Sequence, residues 1–305
     1  MFKYIINRII SAIPVFIGVA VISFSLTYLS GDPVSLMVSM DTPKEEVEQL
    51  REQLGYNLPF YVQFQNYIID LFQLDLGESL RYHEPVFDLI VERIPATIVL
   101  ALASVVVALF IGIPAGIISA IKRNSLSDYF VSLMALFGQS VAPFWFGLML
   151  ILLFSINLNL LPSSGMGSFK QLIMPSLTLG LFFTAAVARL VKSEMLEIMH
   201  SDYIRTARSK GLSNVTIIFQ HALRNSLIPV VTMIGIQFGT LLGGAVVVET
   251  IFAWPGIGRL ILQAIYNRDF PLVQGAMLFS AVGIIIANII VDIVYRLLDP
   301  RIKES

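Results

Sequence analysis

Six apolar runs, at about residues 9–29, 96–121, 130–156, 172–191, 227–248 and 272–298, limit this chain more than any other feature. Each approaches or exceeds the roughly 20 residues that cross a hydrocarbon layer as a helix. In lipid a backbone has no water to bond, and a helix satisfies its own amides within the segment. The expected fold class is therefore an all-α polytopic membrane protein with six transmembrane helices. Composition agrees, because 56% hydrophobic and 13% charged residues leave too little polar surface for a soluble chain of 305 residues. The chain contains no cysteine, which excludes a disulfide framework, thiolate metal sites and a thiol nucleophile. The first run follows Lys3 and Arg8 as a secretory leader would. It is too long for the apolar core of one, and no small-x-small cleavage site precedes Gly31, so an uncleaved first span is expected.

Charge sets the orientation. With the N-terminus inside, 13 of the 20 Lys and Arg residues fall on the cytoplasmic side, among them Lys3, Arg8, Lys122, Arg123, Lys192, Arg205, Arg208, Lys210 and Arg224. Six spans return the C-terminus to that side, where Arg301 and Lys303 agree. Residues 30–96 carry 12 acidic residues against Lys44, Arg51, Arg81 and Arg93, and form an external segment too long for a simple turn. Within it "TPKEEVEQLREQLG" predicts a short helix with Thr42 as N-cap, Pro43 in the first turn and Gly55 as the stop. The chain thus divides into residues 1–29 with the first helix, an acidic external segment 30–95, and a five-helix core 96–305 holding a cytoplasmic loop at 192–227.

Small residues mark close helix packing. Gly235, Gly239 and Gly243 recur every fourth residue, and Gly112 and Gly116 flank Pro114. Such stripes serve either packing within the chain or a face against a second membrane subunit. No run has a carboxylate near its middle, which argues against ion-coupled transport; Asp292 and Arg189 sit near cytoplasmic ends and Glu249 near an external end. His83, His200 and His221 lie outside the runs, the latter two on the opposite face from the first, so the three build no shared metal site. Neither H-E-x-x-H, G-x-S-x-G nor a G-x-x-x-x-G-K-[ST] phosphate loop occurs. The serines and glycines of "LPSSGMGS" have no neighbouring base and read as a loop. If ATP drives this chain, another chain binds it.

The loop at 192–227 contains "SDYIRTARSKGLS". It predicts helix, glycine, helix: Ser201 or Asp202 caps a short helix through Lys210, Gly211 supplies a left-handed stop, and Ser213 caps the second helix. Tyr203, Ile204 and Ala207 fall on one side of that short helix, with Arg205, Arg208 and Lys210 toward the other. Composition alone leaves two readings open, an ordinary positive-inside loop or a helix displayed for a soluble partner.

Residues 203–232, "YIRTARSKGLSNVTIIFQHALRNSLIPVVT", resemble the coupling loop of bacterial ABC-importer permeases of the dipeptide, oligopeptide and nickel group. Arg205, Thr206 and Ala207 stand where the general motif has E-A-A, Gly211 matches its glycine, and His221 to Arg224 stand where it has I-x-L-P. The departures at Arg205 and Arg224 match the peptide-permease form, R-T-A-R-x-K-G-L and H-A-L-R-N. "DLGESL", "RIPATIVLALAS", "ETIFAWPGIGRL", "NRDFPLVQG" and "VDIVYRLLDPRI" extend the resemblance, in order, to the B-type permease over nearly the whole chain.

The resemblance implies a multi-pass subunit of the bacterial cytoplasmic membrane that has no cofactor, metal or nucleic acid of its own. Its implied partners are the lipid bilayer, a homologous second permease subunit, two cytoplasmic ABC ATPases carrying ATP and Mg, and an extracellular or periplasmic solute-binding protein. Tyr203, Ile204, Arg205, Thr206, Ala207, Arg208, Gly211, His221 and Arg224 would carry force from ATPase to membrane. The implied cargo is a di- or oligopeptide. Nickel or a metal chelate is the alternative within the family, and an ion-coupled secondary transporter is the rival class.

Overall fold

A computed structural model describes residues 2–29, 34, 43–53, 55–243 and 245–298. Thr42, Gly31, Arg301 and Lys303 and the side chain of Asp292 lie outside the described residues, and with them the expectations placed on them. The described residues are mainly helical. Four helices are long and apolar enough to cross a membrane: α4 (Val86–Ile121), α7 (Phe169–Met199), α9 (Asn214–Leu242) and α12 (Phe270–Leu298, of which Phe270–Val291 qualifies). A fifth crossing arises if α5 (Leu126–Ser140) and α6 (Pro143–Asn157) count as one broken span. The polytopic helical class stands. The first run lies in α1 (Phe2–Leu29), whose apolar stretch is Ile10–Leu26.

Two of the expected spans differ from the structure. The run at 130–156 is not one helix, since α5 and α6 meet at a bend of 102°. Pro143 begins α6 without an amide to donate, and it pushes its predecessor out of the helical region. Val141 (ψ 125°) and Ala142 (ψ 131°) are accordingly extended. The fifth helix begins at Asn214 rather than near residue 227, and a π-helical turn at Ile217–Leu223 carries it through the polar His221 and Arg224.

The chain divides into two compact units, Met1–Pro95 with Gly256–Gly283, and Ala96–Pro255 with Ile284–Ser305. In the first unit, α2 (Lys44–Gln53) ends as expected at Gly55 (φ +73°), where the Gly55 N–H donates to Glu52 O and the Tyr56 N–H to Arg51 O. Phe24 of α1 meets Phe60 and Phe64 of α3 (Phe60–Phe72) edge to face, Tyr28 meets Phe60 likewise, and Phe24 stacks on Tyr67, with ring centroids 5.1–5.4 Å apart. Val86, Leu89 and Ile90 pack on Leu260 and Ala264 of α11 (Ile257–Tyr266) and on Leu272 and Ala276 of α12. Buried Asp269, just before α12, binds a distant turn of chain and the start of its own helix: Ser79 Oγ donates to it at 2.5 Å and the amides of Leu80 and Arg81 at 3.2–3.3 Å, while the Leu272 amide of α12 donates at 3.3 Å. Four donors offset the desolvation that a buried carboxylate incurs.

The core of the second unit joins Leu100, Met174, Leu179 and Leu241 to Phe252 and Trp254, which come just after the short helix α10 (Val246–Ile251). The Trp254 indole donates to Ala96 O at 2.8 Å, so the large ring is buried without a stranded N–H.

Candidate functional site

The short helix predicted in the loop is present as α8 (Asp202–Ser209), and its exit is set by hydrogen bonding. Lys210 ends the helix, Gly211 turns left-handed at φ +79°, its N–H donates to Arg208 O at 2.9 Å, and the Leu212 N–H reaches Ala207 O at 3.3 Å. Two otherwise orphaned carbonyls are thereby satisfied, the pattern glycine makes cheap. Ser213 then caps α9, its Oγ accepting from the Thr216 N–H at 3.2 Å.

One face of α8 is fixed and the other is open. Ile204 is fully buried and α8 packs on the π-helical turn of α9, where Ile217 and Ala222 are buried too. Ala207 and His221 are half-buried. Arg205, Thr206, Arg208, Lys210, Gly211 and Arg224 are exposed. Tyr203 departs from its expected place on the apolar side: it is 44% exposed, and its hydroxyl accepts from Asn225 Nδ2 at 2.9 Å. That bond ties α8 to the first turns of α9. The Arg205–Asp202 pair at 3.4 Å is open to solvent on both sides and adds little hold. The result is a braced helix that presents a row of basic groups.

Beneath the loop, α4, α7 and α9 share an apolar cluster of Ala108, Ala120, Val187, Val191, Met195, Ala222 and Val230. The glycine stripes serve contacts inside the chain. A Cβ on Gly112 would meet Val187 at 2.8 Å, and one on Gly116 would meet Ala188 O and Val191 at 2.7 Å, so α4 lies tight on α7. A Cβ on Gly235, Gly239 or Gly243 would stand 2.2, 3.4 or 2.8 Å from Val291, Ala287 or Ile284 of α12, respectively.

Sequence reasoning missed an ionic cluster here. Asp128, at the start of α5, is buried and takes the Lys192 ammonium of α7 and the Ser119 hydroxyl of α4, together with the Asn124 amide at 3.0 Å. The signal was the Ser125-x-x-Asp128 spacing, which places Asp128 in the first helical turn with Ser125 as cap. Glu249 of α10, noted only as near an external end, is fully buried and accepts from Thr97 Oγ1 at 3.3 Å.

Two family models match the sequence: "Binding-protein-dependent transport system inner membrane component" over residues 112–304, and the N-terminal portion of the corresponding membrane component over residues 1–101. The chain belongs to this family. The permease resembles the di/tripeptide transport system permease protein DppB of Pseudomonas aeruginosa (strain UCBPP-PA14), at 42% identity with all of both chains covered. It is 38% identical to the dipeptide transport system permease protein DppB of Escherichia coli (strain K12), again with both chains covered in full. Among solved structures, an inward-facing MetNI methionine ABC transporter matches with a TM-score of 0.59 at 20% identity, covering 70% of this chain and 97% of that one. That likeness concerns the fold. The permease is a transport subunit, and ATP hydrolysis belongs to other subunits of such systems.

Proposed function

We propose that this permease forms half of the translocation path of an ATP-driven importer of di- or oligopeptides. The observation that carries the reading is the full-length likeness to permeases named for dipeptide and di/tripeptide transport. In this reading six spans cross the bacterial cytoplasmic membrane with both termini inside, and residues 30–95 lie outside. A homologous second permease completes the path, and a solute-binding protein delivers cargo to the outer mouth. Each of two cytoplasmic ATPases, with its ATP and Mg, receives one coupling helix, here α8. Ile204 and Tyr203 anchor that helix to α9, while Arg205, Thr206, Ala207 and Arg208 meet the ATPase groove and Gly211 ends the helix sharply enough to seat in it. His221 and Arg224 lie on the return path, where force on α8 passes into a membrane helix. Gly112, Gly116, Gly235, Gly239 and Gly243 keep α4 on α7 and α9 on α12, so that the helices move as packed pairs.

Uptake of a labelled tripeptide, a labelled pentapeptide and labelled nickel, measured in a non-polar deletion of this gene and in its complemented parent, tests the proposal. Peptide uptake is expected to vanish in the deletion and return on complementation. Loss of nickel uptake alone would move the chain to the metal branch, and uptake that survives ATP depletion but collapses with the ion gradient would refute an ATP-driven machine.

A further inference from the structure

A cavity of about 580 Å³ opens within the first unit, inside the roughly 300–1,000 Å³ range of small-molecule sites. Its lining is divided by chemistry. Phe24, Tyr28, Tyr67 and Phe270 supply aromatic surface, and Asp70 and Asp75 supply two carboxylates. Among the described residues neither carboxylate has an ion pair. Asp75 spends one oxygen on the Gly77 amide at 2.9 Å. Among the described residues of the lining Arg51 is the sole cation, and Glu48 already holds its guanidinium at 2.7 Å. The wall is therefore negative, and it belongs to a segment with 12 acidic and four basic residues. Such a segment concentrates small cations near itself.

The cation that fits is organic. Among the described residues no three His, Cys, Asp or Glu side chains converge as a metal site requires. An ammonium needs only a carboxylate or two, gains further from an aromatic face, and brings with it an apolar body for the remaining wall. The amide side chains of Asn66 and Gln274, also in the lining, carry the donors and acceptors that a peptide backbone complements.

We propose that this cavity is a way station on the permease itself, holding the N-terminal ammonium of a short peptide at Asp70 and Asp75 with its first side chain on the aromatic wall. The inference rests on the reading of the chain as a peptide permease.

The test uses the assembled permease pair with its ATPases in lipid nanodiscs, without solute-binding protein. Equilibrium retention of tritiated tri-alanine is compared with that of N-acetyl-tri-alanine. Wild type should hold the free peptide at least roughly tenfold more tightly, because acetylation removes the charge. Asp70→Asn combined with Asp75→Asn should abolish the difference, since Asn keeps the turn at Gly77 and deletes only the negative charge. Equal retention of the two peptides by wild type, undiminished retention by the double variant, or displacement of tri-alanine by stoichiometric nickel would each overturn the proposal. Binding-protein-dependent uptake of tri-alanine in cells separates the two readings. Normal uptake without nanodisc retention sinks the cavity alone, whereas absent uptake in wild type sinks the peptide-importer reading beneath it.

Discussion

Gly211 and Gly235 are the same residue used for opposite reasons. At Gly211 the backbone is left-handed and nothing lies within 4 Å of where a Cβ would stand. Gly235 sits in α9, where a Cβ would fall 2.2 Å from Val291. One position needs a torsion and has room; the other needs room and has an unexceptional torsion. Substitution at the first should therefore redirect the chain while leaving packing alone, and substitution at the second should disturb packing while leaving the path of the chain alone.

The largest effect is expected at the crowded site. Gly235→Ala should destabilise the complex by about 1–3 kcal/mol through overpacking, and adding Val291→Ala should return most of the loss. Thermal unfolding of the purified complex in detergent measures both, and the absence of recovery would break the spatial half of the comparison. At the other site, Gly211→Ala should add left-handed strain of about 1–2 kcal/mol, with Gly211→Val worse. Gly211→Val should abolish uptake at an unchanged membrane level, whereas Gly211→Asn should keep most of it because Asn tolerates that torsion. Equal uptake by the Val and Asn variants would refute the torsional account. Arg208→Glu sharpens the contrast further, since the side chain is exposed: uptake should be lost with no measurable change in unfolding temperature, and unchanged uptake would remove Arg208 from the proposed contact between α8 and the ATPase. The smallest effect belongs to Gly283, which is helical with nothing within 4 Å of a Cβ. Gly283→Ala should stabilise by about 0.5–1 kcal/mol, because there glycine serves neither torsion nor volume.

The legible part of the sequence was local. Gly55 and Gly211 could be read as stops and Ser213 as a cap because a helix end is decided by a few neighbouring residues. The break before Pro143 was equally local and still went unread, because the apolar run continued across it. The continuity of α9 was hidden by the reverse effect: the helix capped by Ser213 and the fifth span are one, although His221, Arg224 and Asn225 between them look like loop, because packing on α8 and the apolar cluster below makes them helix. Tyr203 was misplaced because periodicity assigns a face without regard to partners, and Asn225 lies 22 residues away. The bond from Ser79 to Asp269 spans 190 residues, and no window of sequence contains it. The same holds for the lining of the cavity, where residues of α1, α3 and α12 meet.

The π-helical turn at Ile217–Leu223 sets a phase. A turn of this kind holds one residue more than the α-helix around it, and each residue in a helix advances the azimuth by about 100°. The direction in which Ser213 and the end of α8 leave the membrane helix is thus offset from the Gly235–Gly239–Gly243 stripe by one residue's rotation. Deleting a single residue within 217–223 would leave the stripe in register with α12 and swing the basic row of α8 around the axis. Insertions and deletions here act as an angular adjustment, so an aligned relative one residue longer or shorter in this stretch should present its basic row on a different bearing.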